Sequence, residues 1–148
     1  MSYEAKNLDL PRETDVRTFY MNNLKYLRPG EKCIGTELSY KSTSIRADAR
    51  TIDDRNLIRE WEFKIHADYN ALGQILTYVA TAKYETDFSR EIRGVIAAFY
   101  FREDLRRTVE VMNLNVDLIL IPSWLRIPGS KSKFSGNARQ VKIPSPKA

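Results

Sequence analysis

Apolar and polar positions alternate along this chain in two distinct rhythms. Pro11 suits the first turn of a helix, and Glu13 and Asp15 complement the positive end of its dipole. Val16, Phe19, Tyr20, Leu24 and Leu27 then recur at spacings of three and four, which makes one apolar stripe, and Arg28-Pro29-Gly30 ends the helix. The rhythm changes to a period of two over 32–40, through Ile34, Thr36, Leu38 and Tyr40, and continues less cleanly over 44–52. Asp53-Asp54-Arg55-Asn56 has the composition of a turn, and 57–66 follows with the sharpest alternation in the chain. Asp68 is placed to cap a helix over 69–84, with Leu72, Ile75, Leu76, Val79 and Lys83 on one stripe and Gln74 and Tyr78, four apart, on another. An apolar strand over 92–101, a short helix over 103–113 and an apolar strand over 116–122 complete the series. Two strands joined by a helix read as a parallel crossover. The order predicts an α/β fold, a central mixed β-sheet flanked by helices, opening with an antiparallel meander.

Composition narrows the class without changing that picture. At 148 residues, 43% hydrophobic and 29% charged, the chain has the make-up of one ordinary globular domain, assigned to 1–125. Runs such as Val95–Phe101 fall far short of the about 20 residues a membrane helix needs. The opening MSYEAKNLDL has no apolar signal-peptide core, so a cytoplasmic protein is expected. One cysteine, Cys33, excludes a disulfide scaffold and a cysteine-rich metal site, and it reads as a buried, inert thiol.

Charge is uneven. Of the 24 basic residues, six lie in 126–148, which has no acidic residue, and the net charge of +5 therefore resides in that segment. With its prolines and serines it reads as a mobile basic tail. Lys131, Lys133, Arg139 and Lys142 are its candidate phosphate contacts, although a solubilising terminus explains the same composition.

The chemistry concentrates on the strand at 57–66. Side chains on a strand alternate faces, so Trp61, Phe63 and Ile65 point into a core while Glu60, Glu62, Lys64 and His66 share the opposite side. Glu60 reads as a surface residue there. If residues 53–56 close a hairpin, Asp48 on the preceding strand comes near Glu62, although the register is open by a residue or two. Two converging carboxylates make a hard oxygen site for Mg²⁺ or Mn²⁺, and a lysine beside it can orient water or stabilise charge on a phosphate.

Asp48, the triplet Glu62-Phe63-Lys64, and Gln74 with Tyr78 together resemble the D…(D/E)xK…QxxxY signature of the PD-(D/E)XK nuclease superfamily, in its RecB-like branch. The resemblance spans about 11–122 and implies a restriction-endonuclease-like fold and magnesium-dependent hydrolysis of DNA phosphodiesters. It implies Asp48 and Glu62 as metal ligands, the Phe63 carbonyl as a third, Lys64 as the catalytic lysine, and Gln74 and Tyr78 lining the site from the second helix. Glu13 on the first helix, or Glu37 on the first strand, would add a further acidic ligand. No proline precedes Asp48, and Arg46 and Arg50 share its face, where they would contact DNA. Two alternatives accompany this reading: a DNA-binding module without catalysis, and a junction resolvase acting as a homodimer.

Overall fold

The structure, a computed structural model, describes residues 12–41 and 45–126. Helix α1 (Glu13–Asn22) and the single turn α2 (Leu24–Leu27) lead into strands β1 (Glu31–Ser39), β2 (Arg46–Asp53) and β3 (Ile58–Ala67). Helix α3 (Tyr69–Glu85), strand β4 (Ile92–Phe101), helix α4 (Glu103–Val111), strand β5 (Val116–Leu120) and a 3-10 turn (Ser123–Arg126) follow. The five strands form one sheet in the order β1-β2-β3-β4-β5. β1, β2 and β3 pair antiparallel, and β3, β4 and β5 pair parallel, so the sheet is mixed as the patterning predicts. Asp68 caps α3 by accepting the Asn70 N–H at 3.0 Å. The first helical stripe is interrupted at Asn23, whose side-chain amide donates to the Phe19 carbonyl at 2.8 Å.

Both faces of the sheet are covered. On one, Val16, Phe19, Tyr20 and Leu24 pack on Ala49, Trp61, Phe63, Val95 and Ala97. The Tyr20 ring centroid lies 5.5 Å from that of Trp61 and 5.6 Å from that of Phe63. On the other face α3 lays Ala71, Leu72, Ile75, Tyr78, Val79 and Ala82 over Ile58, Ile92, Ile96 and Ala98. Gly94 makes that close approach possible, because a Cβ there would sit 2.6 Å from Ile75 Cγ1 and 3.1 Å from Val79 Cγ2. Tyr78 therefore reaches the sheet rather than solvent.

Three expectations change. Glu60 is not a surface residue: it is fully buried, because α3 roofs the polar face of β3 over Glu60 and Glu62. Cys33 is exposed, not buried. It lies on edge strand β1, where a register shift between Cys33 and Gly35 breaks the alternation and leaves Ile34 half exposed as well. Tyr78 belongs to the sheet-facing stripe of α3, whereas Leu76 faces outward. Among the described residues no helix is long and apolar enough to cross a membrane.

Candidate active site

The site forms where β2 and β3 part. Their ladder runs from Ile52↔Ile58 to Ala49↔Trp61 and stops. The next rung would place Asp48 opposite Glu62. Instead of continuing the backbone pairing, Asp48 Oδ2 accepts the Phe63 N–H at 2.8 Å. The carboxylate thus stands in for a missing strand carbonyl.

Glu62 faces it, 5% exposed. Its Oε2 lies 3.4 Å from Lys64 Nζ, and its Oε1 is buried without a hydrogen-bond partner. Burial, then the Asp48 charge, push the Glu62 carboxyl up from 4.5 to about 7, against the opposing pull of Lys64 and Tyr78. The Tyr78 hydroxyl faces the same carboxyl and favours its charged form without closing a hydrogen bond to Oε1. Asp48 is raised as well, by burial first and then by the Glu13 charge, while the Phe63 N–H, Arg17 and Lys64 act to lower it.

These two raised carboxyls mark a place short of positive charge. Among the described residues no group of three or more His, Cys, Asp or Glu side chains is gathered closely enough to hold a metal by itself. Mg²⁺ does not need one, since it keeps several waters and is commonly held by one or two carboxylates together with substrate phosphate. An orphaned buried carboxylate oxygen, a second carboxylate facing it and an all-oxygen donor set fit such an ion.

The remaining candidates fall into distinct places. Glu13 reaches β3, where its Oε2 accepts the Ile65 N–H at 3.1 Å, and it acts on Asp48 through space. Glu37 lies between rungs Thr36↔Ala49 and Leu38↔Ala47, level with Asp48. Its backbone is left-handed, φ 50°, and its carboxylate is held by Arg17 at 2.9 Å and Arg46 at 3.7 Å. Arg46 is exposed beside it. Arg50 is instead committed to Glu60, with Nε 2.6 Å from Oε2 and Nη2 3.2 Å from Oε1. Gln74 is exposed and, with Tyr78, Tyr69, Asn70 and Ile45, lines a groove of about 370 Å³. His66 packs edge-on to Tyr100 at 6.3 Å. Lys131, Lys133, Arg139 and Lys142 lie outside the described residues.

Sequence reasoning missed two participants. Arg17 acts on both Asp48 and Glu37, and its spacing of four from Glu13 is the signal that could have placed it on the same helical face. Tyr40 appeared only as the end of an alternation, yet its ring stacks on Tyr78 with centroids 6.0 Å apart and planes at 29°.

No family profile matches the chain, and no curated protein matches it. Solved structures do. An EndoMS complex with double-stranded DNA superposes with a TM-score of 0.61 at 21% identity, over 74% of this chain and 45% of that one. A repair endonuclease from Pyrococcus abyssi gives 0.62 at 23%, over 76% and 48%, and EndoMS in its apo form gives 0.59 at 23%, over 76% and 48%. The chain spans less than half the length of each. It has the same mixed-sheet α/β fold as these endonucleases.

Proposed function

We propose that this chain is a metal-dependent DNA nuclease of the PD-(D/E)XK kind, hydrolysing phosphodiester bonds at Asp48, Glu62 and Lys64. One observation carries the reading: Glu62 Oε1 is buried without a hydrogen-bond partner, facing Asp48, with an ammonium group on its other oxygen. A buried acceptor left without a donor is costly, and a divalent cation is the partner that an arrangement of two facing carboxylates satisfies best. The fold it shares with a repair endonuclease and with a protein seen on double-stranded DNA supports DNA as the substrate class.

Asp48 and Glu62 would hold Mg²⁺ or Mn²⁺, with the Phe63 carbonyl close by on the same strand. When bound, such an ion polarises a phosphate and acidifies a water. The chain's own groups do the rest. Lys64 is fixed by its ion pair with Glu62, on the side from which it can orient an attacking water or stabilise charge growing on the phosphate. Tyr78 helps keep Glu62 ionised at neutral pH. In the reaction the water oxygen bonds to phosphorus, one P–O ester bond breaks, and the water's proton passes to the departing oxygen. Gln74, exposed in the groove beside Tyr78, is placed to meet the strand entering the site.

The test is incubation of the full chain with supercoiled plasmid and with linear double- and single-stranded DNA, in Mg²⁺ and in Mn²⁺. Cleavage that stops with EDTA and in Glu62→Ala is expected. Cutting that survives Glu62→Ala, or no cutting in either metal, overturns the proposal.

A further inference from the structure

Behind the site lies a buried polar cluster that hydrolysis does not use directly. Glu60 is two residues from Glu62 on the same face of β3 and is fully buried. It receives Arg50 through Nε at 2.6 Å and Nη2 at 3.2 Å, and it accepts the Tyr40 hydroxyl. The Arg50 guanidinium carbon also stands 6.0 Å from the centre of the Tyr40 ring. That ring, itself buried, stacks on Tyr78 at 6.0 Å. Contacts therefore run from Arg50 through Glu60 and Tyr40 to Tyr78, whose hydroxyl faces the Glu62 carboxyl without closing a hydrogen bond to its Oε1.

Burying an ion pair is a poor route to stability, because desolvation of both charges offsets their attraction and apolar residues of equal volume do as well. A fully satisfied buried network does something apolar packing does not: it holds one orientation of the groups attached to it. Here the attached group is an aromatic ring, and the next group along is the tyrosine that faces Glu62.

We propose that Tyr40 is a positioning residue for the site: the Arg50–Glu60 pair fixes its ring, and the ring holds Tyr78 with its hydroxyl toward Glu62. Its meaning for catalysis rests on the nuclease reading, but the positioning itself does not. Tyr78 is buried between α3 and the sheet, and the Tyr40 ring is the partner stacked on its face there. Displacing a group at a reacting centre by about an ångström costs up to about a hundredfold in rate.

The experiment uses the full chain labelled with ¹³Cζ-tyrosine, the Tyr78 resonance being assigned by its loss in Tyr78→Phe. Tyr40→Leu is expected to shift that resonance, and Tyr40→Phe, which keeps the ring but not the tether to Glu60, to shift it less. In cleavage assays Tyr40→Leu lowers kcat by about tenfold or more with little change in KM, and Tyr40→Phe recovers part of the loss. The double variant Tyr40→Leu/Tyr78→Phe is no slower than Tyr78→Phe alone. A Tyr78 resonance unmoved by both Tyr40 substitutions overturns the proposal, as does a double variant whose loss is the product of the single losses. If the wild-type chain cuts no DNA yet Tyr40→Phe, which keeps the ring and its magnetic shielding, still moves the resonance, the nuclease reading falls and the positioning stands.

Discussion

Glu62→Gln is expected to make the metal-free protein more stable, and more so as the solution becomes more alkaline. Folding takes the Glu62 carboxyl from 4.5 to about 7. A carboxyl whose pKa rises on folding binds its proton more tightly in the native state than in the unfolded chain. Stability is therefore greatest below the unfolded value, declines as pH climbs from there toward 7, and stays low above it. At about 1.4 kcal/mol per unit the whole penalty is about 3 kcal/mol, most of it incurred between about pH 5 and about pH 8. Glutamine fills the same space without an ionisable proton and escapes the penalty. Urea unfolding in EDTA, run on both proteins at about pH 5 and about pH 8, reads it directly; the gap should widen by about 2 kcal/mol, which is near 1 M in midpoint for a domain of this size. Mg²⁺ should restore the wild type and leave the glutamine variant where it was. A gap that does not change with pH would refute the reasoning, because the cost would then not arise from an ionised, buried Glu62.

Lys64→Ala should lower kcat by about a hundredfold or more while DNA binding, measured in Ca²⁺, holds, as expected for a group that acts mainly on the transition state. Removing the Tyr78 hydroxyl withdraws a group that lowers the Glu62 pKa, so Tyr78→Phe should move the acid limb of the pH–rate profile to higher pH; a limb that stays or falls contradicts the assignment. Gly94→Ala forces a methyl to within 2.6 Å of Ile75 and should cost about 1–3 kcal/mol by thermal or urea unfolding, with a parallel loss of cleavage as α3 lifts. Glu60→Ala leaves Arg50 and Tyr40 facing a void and should cost about 3–5 kcal/mol, whereas Arg46→Ala on the surface should cost about 0–1 kcal/mol.

Much of this was legible before any coordinates. The period of two on β3 put Glu62 and Lys64 on one face and Trp61 and Phe63 on the other, and the period of 3.6 marked α3 as a helix packed on the sheet. What alternation does not reveal is whether the polar face of a strand meets water or another layer. Glu60 looked like a solvated residue because its partners, Tyr40 and Arg50, come from two other strands and its roof from α3. Arg50 looked available to DNA for the same reason. Cys33 was misjudged because a bulge on an edge strand leaves no mark in a pattern of apolar residues. The place of Asp48 was within reach, but its bond to the Phe63 N–H was not, because that bond exists only where two strands diverge.

That bond also bears on which ions the site accepts. Asp48 Oδ2 accepts the Phe63 N–H and Glu62 Oε2 pairs with Lys64, so on the proposed reading each carboxylate would turn its other oxygen to a cation. Neither can grip in the two-pronged manner that large, weakly directional ions such as calcium exploit to reach seven or eight neighbours. A compact six-coordinate ion, content with two protein oxygens and a shell of water, loses nothing by this. On the proposed reading, size discrimination would follow from the backbone pairing of the sheet.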